Sequence, residues 1–311
     1  MRFPLRGLAG LLALMAAVPA PAQTLRASGP PVRLLADGAP ALHPVWAPDG
    51  TRLAFTRDQY RGVWIVEADG SDARALTDAP AAGFGFEWAP DGQALVARVA
   101  RTEGLRRFHT AALVRLDGTV EALTDERAQM PALPRWAGPH HVALLSDGTV
   151  EMLAVDAQAR TVAAEPVLLA RPTGGLAVAD TGGLRALASF ADATLLNVTP
   201  SPDGRRVAFE VLAGNLFVVD ADGSNRIDLG RGSRPTWSPD GRWVAFMVTE
   251  DDGHAYTAAD LVAARADGSA RVALTQSPDR LEMNPSWSPD GRAIAFDDAT
   301  DGALYLLPLA E

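Results

Sequence analysis

Apolar and polar residues alternate along the chain in short runs that turn signals interrupt. The apolar residues 53–55 follow a Pro-Asp-Gly triplet, and the apolar residues 64–66 lead into an Asp-Gly-Ser triplet. Proline fixes φ, aspartate bonds its own backbone and glycine takes the left-handed position, so each triplet predicts a tight turn. Because no helical period accompanies these turns, the pattern predicts an all-β protein built from short antiparallel strands.

One motif recurs down the chain: Trp, then Ser or Ala, then Pro-Asp-Gly and an apolar strand. Five copies are clear, although one has Pro200 at the Trp position, and a sixth at residues 135–144 is degenerate. The Trp position falls at 46, 88, 136, 200, 237 and 287, at intervals of 42, 48, 64, 37 and 50 residues. Intervals near 40–45 residues are typical of four-stranded propeller blades. We therefore expect six blades, with residues 172–196 as an insertion.

The two ends of the chain are expected to complete one blade together. The last unit stops after its third strand, residues 304–309, and a spare apolar segment at residues 32–37 precedes the first motif. Pairing these segments would close the ring and leave no open sheet edge. The predicted fold is an all-β, six-bladed β-propeller over residues 23–311, closed by an N-terminal strand that joins the last blade.

Residues 1–22 have the pattern of a secretory signal peptide. Arg2 and Arg6 precede an apolar run at residues 8–18, and residues 20–22 offer a small-x-small cleavage site. The run is shorter than the roughly 20 residues of a membrane span. We therefore expect a periplasmic or secreted protein without a membrane span after cleavage.

Composition narrows the classes of function. The chain is 48% hydrophobic and 21% charged, which suits a large core. Removing Arg2 and Arg6 would take the formal net charge from −10 to −12, and an acidic surface argues against nucleic acid as a partner. The absence of cysteine excludes disulfides and thiolate-ligated metals. No Gly-x-Ser-x-Gly motif of a serine hydrolase occurs.

The repeated motifs resemble those of TolB-like β-propellers, and the resemblance covers nearly all of the chain after residue 22. It implies recognition of a partner, which we take to be a protein of the cell envelope, at the face where the central channel opens. Some propellers resembling this one are metal-dependent lyases that use channel histidines, so such an enzyme is the alternative hypothesis. A binding module without a cofactor is the leading one.

The repeated tryptophans are interpreted as structural. A residue shared by most repeats cannot distinguish a ligand, so we expect these side chains to pack between neighbouring blades. They are Trp46, Trp88, Trp136, Trp237 and Trp287.

The position three residues before each Trp position varies between repeats, and we place the candidate binding site there. Four repeats carry a polar residue at this position: His43, Asn197, Arg234 and Asn284. Two others carry Gly85 and Leu133. In a four-stranded blade this position lies at the channel mouth, opposite the Pro-Asp-Gly turns. A channel that holds only water is the alternative.

Long connections on the same face are expected to be irregular and to contribute to binding. They are residues 98–110, the acidic segment at residues 250–254 and the insertion at residues 172–196. The candidate binding residues on them are Arg106, Arg107, His109 and His254. His43, His109 and His254 make a metal site conceivable, but their spacing carries no ligand signature, so we expect no bound metal.

Overall fold

The computed structural model describes residues 24–311 apart from 36–37, 131, 147, 171–174 and 191–192. The predicted signal peptide therefore lies outside the described residues. Strand pairing in the described part forms seven antiparallel sheets arranged as blades. The all-β propeller fold is confirmed, and the prediction of six blades is wrong.

Two short strands precede the first blade, and blades 1 and 2 then have four strands each. The N-terminal strands are β1 (Arg26–Ala27) and β2 (Val32–Arg33). Blade 1 comprises β3 (Leu42–Trp46), β4 (Arg52–Thr56), β5 (Val63–Glu67) and β6 (Arg74–Thr77). Blade 2 comprises β7 (Phe86–Trp88), β8 (Ala94–Glu103), β9 (Arg106–Arg115) and β10 (Val120–Ala122).

The long interval between the third and fourth motifs holds two small blades instead of one blade and an insertion. Blade 3 comprises β11 (Arg135–Trp136), β12 (His141–Ser146) and β13 (Thr149–Ala154). Blade 4 comprises β14 (Val167–Ala170), β15 (Leu176–Asp180) and β16 (Gly183–Ala188). Blade 4 lacks the Pro-Asp-Gly turn, so counting motifs missed it. With only three strands in each sheet, both blades fit within 64 residues.

Blades 5 to 7 return to the regular pattern. Blade 5 comprises β17 (Leu195–Pro200), β18 (Arg206–Val211), β19 (Leu216–Asp220) and β20 (Ile227–Gly230). Blade 6 comprises β21 (Ser233–Trp237), β22 (Trp243–Asp251), β23 (Tyr256–Arg265) and β24 (Arg271–Ala273). Blade 7 contains β25 (Glu282–Trp287), β26 (Ala293–Asp298) and β27 (Ala303–Ala310), with β1 and β2 on its outer edge.

The predicted closure of the ring is confirmed. In β2, Val32 pairs with Leu306 and Arg33 with Tyr305 of β27. The next backbone N–H, that of Leu34, donates to the carbonyl of Leu304 at 2.8 Å. Both chain ends therefore share blade 7, which removes a free edge from the last sheet.

The hydrophobic core lies between the blades. Buried clusters join each neighbouring pair of blades around the ring, including the pair formed by blades 7 and 1. The second strands of blades 1, 5, 6 and 7 each bury a phenylalanine completely at the same repeat position: Phe55, Phe209, Phe246 and Phe296. Stability therefore depends on contacts between sheets more than on any one sheet.

The repeated tryptophans contact the preceding blade. The indole N–H of Trp88 donates to the Val45 carbonyl at 3.0 Å, and that of Trp237 donates to the Thr199 carbonyl at 2.9 Å. Trp136 donates in the same way to Glu87, at 3.0 Å. The indole nitrogens of Trp46 and Trp287 are buried without a hydrogen-bond partner among the described residues. Three of the five thus add a polar contact between blades to their packing.

Regular strands occupy most of residues 98–110, which were expected to be irregular, whereas of residues 250–254 only 250 and 251 are in a strand and 252–254 lie in a turn. Residues 98–103 continue β8 and pair with β9 as far as Glu103 and Arg106. In blade 6, β22 and β23 pair as far as Asp251 and Tyr256. Both hairpins extend past the innermost strand of their blade, by six residues or roughly 20 Å in blade 2.

Helical structure in the described part is confined to three short 3₁₀ segments. They are Asp58–Tyr60, Ala82–Phe84 and Ala157–Arg160. No helix among the described residues is long and apolar enough to cross a membrane.

Candidate functional site

Four blades interrupt their innermost strand at the same place. In blades 1, 5, 6 and 7, the pairing of the first and second strands shifts register at the position three residues before the Trp position. The residue there has a left-handed backbone, with φ of +55° at His43, +48° at Asn197, +58° at Arg234 and +49° at Asn284. Bulges of this kind redirect side chains and are frequent beside functional sites.

These four residues line one cavity at the channel mouth. Its volume is about 700 Å³, within the range of small-ligand sites. Leu133 also lines it, whereas Gly85 is not among its lining residues. The structure therefore brings His43, Asn197, Arg234 and Asn284 together from four different blades.

The opposite side of the cavity is apolar. Blades 3 and 4 and the start of blade 5 contribute a surface that we call the leucine wall: Leu133, Leu145, Leu168, Leu169, Leu195 and Leu196. Leu196 is 38% exposed, although it is a large apolar side chain. The cavity therefore combines a polar side and an apolar side.

Two arginines of the described residues line the cavity, and they differ in their partners. The Arg135 Nε donates to Glu87 Oε2 at 2.7 Å, an ion pair that neutralises its charge. Among the described residues, no carboxylate oxygen lies within ion-pairing distance of the Arg234 guanidinium. Arg234 therefore makes no direct ion pair, although its charge opposes the burial that raises the pKa of Glu210 and Asp297 behind the cavity.

A buried carboxyl lies behind the polar side of the cavity where the ring closes. Asp297 of β26 is 1% exposed. Its Oδ1 accepts from the backbone N–H of His43 in blade 1 at 3.0 Å, and both of its oxygens accept from Asn284 Nδ2, at 3.0 and 3.2 Å. Burial raises the pKa of Asp297 to about 7, although these bonds oppose the shift. Asp297 thereby holds two of the cavity residues in place.

A second acid performs the same role in blade 5. Glu210 of β18 is 7% exposed and accepts a hydrogen bond from Asn197 Nδ2. Burial raises the pKa of Glu210, and contacts with Ser233 and the Arg234 backbone N–H partly offset the increase. The two asparagines are thus held by acids, which leaves Arg234 as the cationic group.

His43 is not a second cation at neutral pH. Burial, and then the charge of Arg234, lower the pKa of His43 to about 4. Its imidazole is therefore neutral at pH 7, so Arg234 carries the positive charge on this side.

The other predicted binding residues lie outside the cavity. Arg106, Arg107 and His109 are on β9, and His254 is in the turn between β22 and β23. None of these four is among the residues that line the cavity. The described part of the chain holds no group of three or more His, Asp or Glu side chains able to bind a metal ion. The three histidines considered for a metal are therefore not brought together.

Sequence reasoning missed the acids and the leucine wall. Glu210 and Asp297 each follow the buried phenylalanine of a second strand, and an acid in an apolar strand was a signal for a buried polar contact. The leucines carried no comparable signal, because core leucines have the same sequence pattern. Only the arrangement of blades 3 to 5 exposes them to the cavity.

Comparison with known proteins agrees with the fold. No family model matches the chain. The uncharacterized peptidase YuxL of Bacillus subtilis (strain 168) is 38% identical over 64 residues, which is 20% of this chain. This chain spans about a tenth of the length of that curated relative.

Two solved structures resemble the whole ring. A chain of the mitotic checkpoint complex aligns over 99% of both chains, with a TM-score of 0.62 and 17% identity. The putative TolB from Agrobacterium tumefaciens aligns over 87% of this chain and 90% of its own, with a TM-score of 0.53 and 17% identity. At this level of identity the comparisons show a β-propeller fold.

Proposed function

We propose that the protein is an exported propeller that binds a partner protein of the cell envelope through its channel face. The observation that supports this most strongly is the cavity of about 700 Å³, in which four blades present polar side chains from the same strand bulge. A non-glycine residue in the left-handed region costs free energy, so four at one position favour a functional constraint over chance.

The surroundings of the cavity also favour a macromolecular partner. Two hairpins extend on the channel face, and their ends carry opposite charges. The blade 2 hairpin ends near Arg106 and Arg107, and the blade 6 hairpin ends near Glu250 and Asp251. Leu105 at the first tip is fully exposed, and Tyr256 beside the second is 48% exposed. Exposed apolar side chains beside charged hairpin ends suit a protein surface better than a small metabolite.

The similar folds are compatible with this role. One belongs to a mitotic checkpoint complex, and another is described as a putative TolB. The arginines and the apolar run of residues 1–22 support the export that we propose.

Site-specific photo-crosslinking tests the proposal. A photoreactive residue at position 196 lies in the cavity, and the same residue at position 71 lies in an exposed Asp-Gly-Ser turn on the opposite face. We expect discrete crosslinked partner proteins from position 196 and none from position 71. Equal products at both positions, or none at position 196, would contradict binding at the channel face.

A further inference from the structure

The residues around the cavity specify the chemistry of a ligand. Arg234 is the lining cation that has no carboxylate within ion-pairing distance among the described residues. Its nearest acids, Glu210 and Asp297, are buried and already hydrogen-bonded to the two asparagines. A guanidinium in this setting favours a carboxylate, to which it can make two parallel hydrogen bonds.

The backbone of Arg234 supports a role in binding. Asparagine and histidine tolerate the left-handed region better than arginine does. Asn197 and Asn284 occupy the equivalent positions in blades 5 and 7, so the bulge does not require an arginine. The bulge itself is therefore satisfied by asparagine, and the charge of Arg234, which also acts on Glu210 and Asp297, is available to a ligand in the cavity.

The leucine wall indicates the second chemical group that the ligand should carry. It lies in the same cavity as Arg234 and includes the exposed Leu196. Burying an apolar ligand group there removes apolar surface of both molecules from water. A ligand that uses the whole cavity therefore carries both an anionic group and an apolar group.

We propose that the cavity binds the C-terminal residue of a polypeptide, with its carboxylate at Arg234 and its apolar side chain against the leucine wall. This inference rests on the proposed function and names the part of the partner that is recognised. In a C-terminal residue, the carboxylate and the side chain are attached to the same carbon atom. In an internal extended segment, an acidic side chain and its apolar neighbour point to opposite faces.

Peptide selection tests this proposal directly. Purified protein is presented with random peptides that have a free C-terminal carboxylate, and with the same pool after amidation of that carboxylate. We expect enrichment of Leu, Ile, Val or Phe at the last position of the free pool and no enrichment from the amidated pool. Equal selection from both pools, selection of an internal motif, or no selection from either would overturn the proposal.

Variants then assign the two groups of the ligand. Arg234→Asn introduces the residue type that the same bulge carries in blades 5 and 7. It should lower the affinity for the selected peptide by about 10- to 100-fold. Leu196→Ser should weaken it by about 3- to 10-fold, with the largest loss for peptides that end in the bulkiest side chain. Arg205→Asn, in an exposed turn on the opposite face, is the matched control and should leave affinity unchanged. Unchanged affinity in Arg234→Asn would also overturn the proposal.

The two proposals fail separately. If position 196 crosslinks a partner protein but no peptide terminus is selected, recognition at the channel face stands and the proposed ligand is wrong. If position 196 gives no crosslink and no peptide is selected, both are wrong.

Discussion

Blades 5, 6, 7 and 1 and blades 3 and 4 meet at one cavity, but they line it with opposite chemistry. The first group repeats the same bulge and presents His43, Asn197, Arg234 and Asn284 from left-handed positions. In blade 3 the equivalent residue is Leu133, whose backbone is not left-handed, and blade 4 lacks the Pro-Asp-Gly motif. The comparison teaches that the repeated bulge supplies polar side chains from left-handed positions, whereas blades 3 and 4, together with Leu195 and Leu196 just before the bulge of blade 5, supply the apolar surface.

The largest expected effect tests whether the two groups of blades are held together in the same way. Trp237→Ala in blade 6 and Trp136→Ala in blade 3 should each lower the free energy of unfolding by about 3–5 kcal/mol, because both indoles are buried and hydrogen-bonded to the preceding blade. Urea denaturation measures this. A cost below about 1 kcal/mol for Trp136→Ala would show that blade 3 is held by other contacts.

A milder substitution separates the hydrogen bond from the packing. Trp237→Phe should lower the free energy of unfolding by about 0.5–1.5 kcal/mol more than Trp287→Phe does. Trp237→Phe removes a hydrogen bond to the Thr199 carbonyl, whereas the indole N–H of Trp287 has no partner among the described residues. Equal costs would mean that the contact with Thr199 contributes nothing.

Asp297 and His43, which meet where the ring closes, should make opposite contributions to the pH dependence of the free energy of unfolding. Asp297 has a pKa of about 7 when folded and 3.8 otherwise, so it takes up a proton on folding, and its contribution to stability falls as the pH rises from about 4 to 7. His43 has a pKa of about 4 when folded and 6.5 otherwise, so its contribution rises between about pH 4 and 6.5.

Asparagine variants separate these two contributions. Relative to the unsubstituted protein, Asp297→Asn should become more stable as the pH rises through this range, and His43→Asn should become less stable. Each slope is at most about 1.4 kcal/mol per pH unit. Denaturation at pH 4.5, 5.5 and 6.5 measures both. Differences of the same sign in the two variants would contradict the assignment.

The smallest expected effect tests the bulge itself. Arg234→Gly should leave the free energy of unfolding unchanged or raise it by up to about 1 kcal/mol, because glycine adopts φ near +58° without strain. Leu133→Gly, at the equivalent position of blade 3, should lower it by about 1 kcal/mol or more, because it removes an apolar side chain from an unstrained backbone. Thermal unfolding of both variants measures the difference, and a loss of stability in Arg234→Gly would indicate that its side chain is structural.

Much of the fold could be predicted from local sequence. The Pro-Asp-Gly turns, the strands that flank them and the pairing of residues 32–33 with β27 all follow from patterns of a few residues. The number of blades could not, because blade 4 has neither the turn triplet nor the tryptophan. The 64-residue interval was the available signal, and the prediction assigned its excess length to an insertion.

The residues of the candidate site could also be predicted only in part. The variable position before the Trp position identified four residues that line the cavity, because a shared place in the repeat gives a shared place in the ring. Arg106, Arg107 and His109 were expected on an irregular loop, but β8 and β9 pair through them, whereas His254 does lie in a turn, between β22 and β23. None of the four lines the cavity.

By itself, the sequence determined a ring of β-hairpins, its closure by the two chain ends, and which repeat position varies at the channel. The hairpins and the variable position depend on turn chemistry and strand patterns that act within a few residues, and the closure followed from a strand missing at one chain end and a spare strand at the other. The tertiary structure decided that there are seven blades, that Glu210 and Asp297 hold the cavity residues, and that a leucine surface faces Arg234. Those features depend on packing between segments far apart in the chain, where identical local patterns lie in the core or at a cavity according to the blades beside them.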